Sequence, residues 1–260
     1  MRIPPLAGSF TKILTTMRLT FHEYTHIFGE HTHKYVMVIK KKPAFKAKPR
    51  GGAVKRPVGQ RARNKEAIRK RIVTAALDLF QKKGFEGTTT RSIARKAGIA
   101  EGTVFNYFRT KEDIVLHFFE EEVDHAIATV RRNARLRKAP LEEKLFTLVH
   151  SQLEFLAPYE RFIGAAFLEA LKPASRLGPF SHRAQELRHR YVGFVQELFE
   201  ESLPNHSSSP LTWMAPQAFW IYYLGALLYW LNDSSPGKQN TLAFLDRSLS
   251  IGVSVLRQGG

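Results

Sequence analysis

One stretch constrains the chain more than any other: Thr88-Thr-Thr-Arg-Ser-Ile-Ala-Arg-Lys-Ala-Gly-Ile-Ala-Glu-Gly-Thr-Val-Phe-Asn-Tyr-Phe-Arg-Thr-Lys111. Two short helical patterns meet there at a single glycine, Gly98. Thr89 or Thr90 is placed to cap the first helix, because a threonine hydroxyl accepts from an orphan backbone N–H. Ile93, Ala94 and Ala97 share one face at helical spacing, and that face packs inward. Gly98 falls where the first helix must end, in a left-handed conformation that glycine adopts without a steric penalty. Ile99 then plugs the turn into the core. The spacing predicts a second helix over about Ala100 to Phe108, with Val104 and Phe108 inward and Glu101, Thr103, Asn106 and Tyr107 outward. Small residues at Gly102 and Thr103 permit close approach to a partner. The outer face carries hydrogen-bonding side chains where a buried helix would carry aliphatics. That pattern suits a reader of the DNA major groove: asparagine bonds adenine at two points, and threonine meets a thymine methyl or a base edge. Lys111 is suited to a phosphate.

The pattern Thr-Thr-x-x-x-Ile-Ala-x-x-Ala-Gly-Ile-x-x-Gly-Thr-Val-Phe-Asn-Tyr-Phe-x-x-Lys-Glu-Asp, from Thr89 to Asp113, resembles the DNA-binding domain of the TetR family of one-component repressors. A matching first helix is expected over about Asn64 to Lys83, with Ile68, Ile72, Ala75, Ala76, Leu79 and Phe80 as its buried stripe and Gly84-Phe85 closing it. The resemblance implies an all-α protein of about nine helices: a three-helix helix-turn-helix head, then a ligand-binding and dimerisation body. Carried over by position, it implies DNA contacts at Thr90, Arg91, Gly102, Thr103, Asn106, Tyr107 and Lys111. Phe105 departs from the family, which commonly has a tyrosine there whose hydroxyl reaches a phosphate.

The charge distribution points the same way. The net charge of +17 is split unevenly, +19 over residues 1–111 against −2 over 112–260. A basic first part on a near-neutral second part calls for an anionic partner of the first part only. There are no cysteines, which excludes disulfides, thiolate nucleophiles and cysteine-based zinc sites and fits a cytoplasmic protein. No signal-peptide pattern opens the chain. The longest apolar run, Ala218 to Leu231, is shorter than the ~20 residues a membrane span needs, so it is expected to be a buried helix.

Three segments are expected. Residues 1–60 read as a disordered basic extension, 61–110 as the helix-turn-helix domain and 111–260 as the helical body. Lys40 to Arg63 has two readings, a cationic arm lying on DNA or a passive segment preceded by a start at Met17 or Met37. In the body, helices are expected over about 111–137, from Pro140 to Ala157, 159–171, 181–202, 216–232 and 238–256. The Pro216–Asn232 segment is apolar nearly all round, and such a helix needs packing partners on two sides. The resemblance implies that the last two helices pair with those of a second copy, and Phe219, Trp220, Tyr223, Leu227, Trp230, Leu245 and Leu249 are the expected dimer contacts. Phe118, His150, Phe155, Phe167, Tyr191 and Phe194 are candidates to line an effector pocket, with an apolar or aromatic small molecule as the expected ligand.

His22-Glu23-Tyr24-Thr25-His26 matches the His-Glu-x-x-His zinc-protease motif. Its surroundings lack the residues to build a supporting sheet and helices. No enzyme activity, cofactor or metal is therefore expected, and a metal-dependent hydrolase using His22, Glu23 and His26 stands as the alternative. A helical module that binds nucleic acid nonspecifically is the other. The leading expectation is a homodimeric transcriptional regulator that binds a double-stranded DNA operator, acts as a repressor and answers to a small-molecule effector.

Overall fold

Helices follow the apolar periodicity throughout. The computed structural model describes residues 58–258, apart from 171, 173–174, 179–180 and 204–209. The His22 cluster and nearly all of the expected 1–60 extension lie outside the described residues. Among those described there are no strands and nine α-helices: α1 Val58–Lys83, α2 Thr90–Ala97, α3 Glu101–Phe105, α4 Lys111–Arg132, α5 Leu141–Leu156, α6 Glu160–Ala170, α7 His182–Ser202, α8 Pro210–Asn232 and α9 Gln239–Gln258. No helix among them is long and apolar enough to cross a membrane.

The head is α1 to α3. Thr89 caps α2: its hydroxyl accepts from the Ser92 N–H at 3.2 Å, and the Ser92 hydroxyl accepts from the Thr89 N–H at 3.1 Å. This reciprocal pair satisfies two orphan donors at once. Gly98 closes α2 with φ 65°, and the Ile99 N–H reaches back to the Ala94 carbonyl at 3.1 Å. Arg71, on α1, donates to the carbonyls of Ala97 and Gly98 and clasps the turn from below. Ile72, Ala76, Phe80, Ile93, Ala94, Val104 and Phe108 close the small core. The recognition helix is shorter than the spacing predicts. It stops at Phe105, and in the turn that follows Tyr107 and Phe108 share the Val104 carbonyl, each at 2.9 Å. Phe108 is buried in the core of the head.

α4 leaves the head and enters the body. Thr110 and Asp113 form a second reciprocal cap at its start. It ends at Arg132, and Asn133 leads into a 3-10 turn over Ala134–Lys138, so the expected continuous helix to residue 137 is broken. α1 begins at Val58, which draws residues 58–63 of the basic tract into a helix. α8 begins at Pro210 and carries Pro216 inside it. Between α8 and α9, Asp233 accepts from the N–H and hydroxyl groups of both Ser235 and Thr241 at 2.6–2.9 Å, which fixes the hairpin between the two helices. Burial opposes the Asp233 charge, but these bonds prevail and hold its carboxyl below the usual range.

Aromatic rings join head to body. Phe80 on α1 stacks on Phe162 of α6 at 4.9 Å, and Phe162 meets Phe118 of α4 edge-on at 6.3 Å. Phe118 also touches Phe155 and Tyr159 at 5.4 and 5.1 Å.

The expected dimer contacts need correction. Phe219, Tyr223, Leu227, Trp230, Leu245 and Leu249 are buried in the subunit's own core, and Trp220 is half-buried against Tyr191. α8 is apolar on two sides, and its inner side, which packs on α7, α5 and α9, takes these rings. The outward side is a different set: Ile221 at 71% exposure, Leu228, Tyr229, Phe244, Ile251 at 66% and Val255.

Gly98 tests the head's architecture. An added Cβ there would stand 3.2 Å from an Arg71 terminal nitrogen, which can move, so the left-handed backbone sets the penalty. Gly98→Ala is expected to lower stability by about 1–2 kcal/mol, read by denaturant unfolding. An unchanged midpoint would contradict the strained-turn account.

Candidate functional site

The outer face of the head gathers most of the residues expected at DNA. Gly102 and Asn106 are exposed, and Thr103 and Tyr107 are half-exposed along α3 and the turn after it. Arg91 is 77% exposed at its side chain. Phe105, where the resembling family has tyrosine, is 47% exposed on this surface and brings no hydroxyl to it.

Glu101 is the residue the sequence reading set aside. It opens α3, and its carboxylate accepts from Arg91 Nε at 3.1 Å and from the Thr90 hydroxyl at 3.4 Å. It thereby ties two expected DNA contacts to the recognition helix and partly neutralises Arg91. The signal was present in the outward position of Glu101, but its pairing across the turn depends on how α2 and α3 cross.

Lys111 differs from expectation. Its ammonium is taken up inside the protein: it donates to the Phe85 carbonyl at 2.9 Å, lies 4.1 Å over the Phe85 ring and faces Glu86. It locks the start of α4 to the end of α1 instead of standing free for a phosphate. A second link enters from α7. Arg183 donates to Asp113, the capping residue of α4, at 3.3 Å and to Glu120 at 2.6 Å. Burial opposes the Glu120 charge, but its bonds with His117 and Arg183 keep its carboxyl low.

The structure does not bring the six body candidates into one site. Phe118 and Phe155 belong to the head–body aromatic junction. His150 is half-exposed, pairs with Glu154 and stacks on Phe146. Phe194 lies under Arg131, and Phe167 is half-buried on α6. Only Tyr191 meets buried polar chemistry. Its hydroxyl donates to Gln152 Oε1 at 2.9 Å, and the Tyr223 hydroxyl donates to Glu122 Oε1 at 3.2 Å. All four residues are buried, from α7, α5, α8 and α4 respectively. The Gln152 amide nitrogen is buried without a hydrogen bond of ordinary geometry, although it lies near enough to the carboxyl to favour its charged form. Burial outweighs that pull and pushes Glu122 up to about 8. Burial first, then the nearby Glu122, raises both tyrosine hydroxyls. Glu122 sits in a Glu120-Glu121-Glu122 run that reads as a solvated face, and only helix packing reveals which of the three turns inward. Among the described residues no three histidines or carboxylates converge as metal ligands.

A capped helix, a left-handed glycine turn and a polar second helix, set on an all-α body, define a helix-turn-helix regulator. Family comparisons narrow the class. The model described as bacterial regulatory proteins, tetR family, matches residues 72–118. The model described as tetracyclin repressor-like, C-terminal domain, matches 144–259. Together they span well over half of the chain, and the chain belongs to the TetR family of bacterial regulatory proteins. It is similar to the fatty acid metabolism regulator protein of Bacillus subtilis (strain 168), with 31% identity over 86 residues, 33% of this chain and 44% of that one. It is 36% identical to the HTH-type transcriptional regulator RutR of Escherichia coli (strain K12) over 80 residues, 31% of this chain and 37% of RutR. The chain thus spans less than half the length of these curated relatives. Among solved structures, Thermus thermophilus FadR in complex with lauroyl-CoA superposes with a TM-score of 0.53 at 25% identity, over 74% of this chain and 94% of that one.

Two predictions follow from the geometry. In the unfolded chain Glu122 titrates near 4.5, and in the folded protein at about 8. Between these values the folded protein keeps a proton that the unfolded chain has released. The contribution of Glu122 to stability is therefore full below about 4.5, falls as pH rises to about 8, and is flat above it. Relative to Glu122→Gln, the wild type should lose stability across that window, by on the order of a few kcal/mol. Parallel thermal unfolding curves from pH 5 to 9 would contradict a buried neutral acid. On the head, Glu101→Ala releases Arg91, and the salt dependence of binding to any duplex should steepen by about one unit. An unchanged slope means Arg91 does not face a phosphate.

Proposed function

We propose that this protein is a homodimeric transcriptional repressor. Its two heads bind an inverted-repeat operator in double-stranded DNA, and a small apolar effector entering the body releases it. The observation that carries this reading is the polar outer face of α3, held on a reciprocally capped α2 and a left-handed turn within a strongly basic part of the chain. Thr90, Arg91, Gly102, Thr103, Asn106 and Tyr107 are the proposed DNA contacts. The reading places its action in the cytoplasm and assigns it no catalytic step. The lauroyl-CoA carried by Thermus thermophilus FadR, together with the name of the Bacillus subtilis relative, supports an effector with a long apolar part.

The dimer in this reading uses the outward face of α8 and α9: Ile221, Leu228, Tyr229, Phe244, Ile251 and Val255. Ile221 and Leu228 on α8, and Phe244 and Ile251 on α9, lie seven residues apart and so share one face of each helix, and Tyr229 stacks on Phe244 at 5.0 Å to join the two helices into one surface. An exposed apolar patch of this kind marks an interaction site, and a second copy offers the same patch in return.

Selection of bound sequences from random duplexes by the full chain tests the function. The expected result is an inverted repeat with half-site centres about ten base pairs apart or a multiple of that. Equal affinity for scrambled duplex would favour a nonspecific nucleic-acid-binding module instead. Ile221→Glu combined with Ile251→Glu should sediment as a monomer and lose most operator affinity. A dimer that persists in that variant would refute the assigned face.

A further inference from the structure

The buried cluster of Glu122, Gln152, Tyr191 and Tyr223 leaves hydrogen-bond donors without a partner. While the acid is neutral, the four side chains hold five polar hydrogens: two on the Gln152 amide and one on each of the others. They lie in a single chain, Tyr191 to Gln152 to Glu122 to Tyr223, in which the two tyrosine hydroxyls each donate and the approach of Gln152 to Glu122 uses at most one more. At least two donors are left over whichever way round the amide is placed, and one of them is on the Gln152 nitrogen, which makes no hydrogen bond of ordinary geometry. A buried donor without an acceptor is destabilising, and apolar side chains of the same shape would avoid that cost. The cluster therefore matches a molecule that brings an acceptor.

We propose that this cluster is the polar recognition point of the effector site, and that its ligand is an uncharged apolar molecule whose carbonyl oxygen accepts from Gln152 and from the Glu122 acid proton. The proposal rests on the reading of the body as an effector site. The surroundings fit such a ligand. Tyr191 lies among Phe219 at 6.3 Å, Tyr223 at 5.5 Å and Trp220 at 5.4 Å. Trp220 is only half-buried, so the aromatic stack runs from the cluster outward, and the apolar part of the ligand follows it. A cationic ligand fits less well, because the leftover groups are donors and would point hydrogens at it. An anion would find no cationic group to balance it, since the partners of Glu122 are an amide and two tyrosine hydroxyls. The titratable groups that face Glu122 are Tyr191 from α7 and Tyr223 from α8, and α5 contributes only the Gln152 amide.

The test uses three probes of equal chain length on the full-length protein: methyl decanoate, methyl decyl ether and decyltrimethylammonium. Calorimetry reads binding, and release from the selected operator reads response. The ester should bind at least about ten-fold more tightly than the ether. Gln152→Leu should abolish that preference while leaving the ether's affinity in place. Glu122→Gln keeps a donor at the same point, so the ester preference should survive there. Its fall with rising pH, expected in the wild type as Glu122 ionises, should be absent in that variant. Equal binding of ester and ether, a preference that persists in Gln152→Leu, or tighter binding of the ammonium probe would each overturn the proposal. So would failure of all three probes to bind a protein that still selects its operator. Loss of sequence selectivity in the DNA arm is a separate result, which would overturn the regulator reading itself.

Discussion

α4 is the one helix that both halves of the molecule need, and its buried face decides how they sit together. At its start, the reciprocal cap of Thr110 and Asp113 and the bond from Lys111 to the Phe85 carbonyl bind it to the head. Two turns into the helix, Phe118 packs against Phe155, Tyr159 and Phe162, and Phe162 carries the stack to Phe80 in α1. Phe118 is 1% exposed, and a side chain so enclosed cannot shift without moving its neighbours. The head can rotate only if α4 moves with it or this stack repacks.

That arrangement gives the body a short route to the DNA face. Glu122 follows Phe118 by one turn on the same side of α4, and Arg183 reaches from the start of α7 to Asp113 and Glu120. An effector that inserts among α4, α5, α7 and α8 must displace at least one of them. It can release the operator only to the extent that it binds the displaced arrangement more tightly than the resting one. Coupling energies of this kind run to about 1–3 kcal/mol, comparable to the cost of one unmatched buried donor. A carbonyl that satisfies two such donors only in the displaced state would supply a difference of the required size.

The head was legible in the sequence because local chemistry determines it. Thr89, Gly98 and Val104 each have one role that a short window of residues dictates, and the cap, turn and core positions follow. The places where the reading failed depend on distant parts of the chain. Lys111 resembles a phosphate contact until Phe85 and Glu86, some 26 residues earlier, are folded against it. α8 shows that it is apolar on two sides, but its sequence alone does not say which side meets α7 and which faces outward. The rings of Phe219, Tyr223 and Trp230 were assigned outward, and packing turned them inward. Glu122 is the same problem in polar form: three consecutive glutamates look alike until one of them lands between Gln152 and Tyr223.

These failures share a cause that bears on function. A helix-turn-helix head must present the same shape to the same B-form groove, so its sequence is held to a narrow pattern. In the proposed mechanism the body has only to keep α4 in one of two positions, which many different cores can do. Chemistry that is specific to this chain therefore collects where the pattern relaxes. The departures lie at Phe105 and Glu101 on the DNA face and at Glu122 and Gln152 inside the body. A buried neutral acid is a poor choice for stability alone, because an apolar side chain of similar volume would hold the same helices with no proton to keep and no donor to satisfy. Its presence on the helix that steers the head is explained if the apolar alternative, though more stable, would leave the body unable to distinguish one apolar molecule from another.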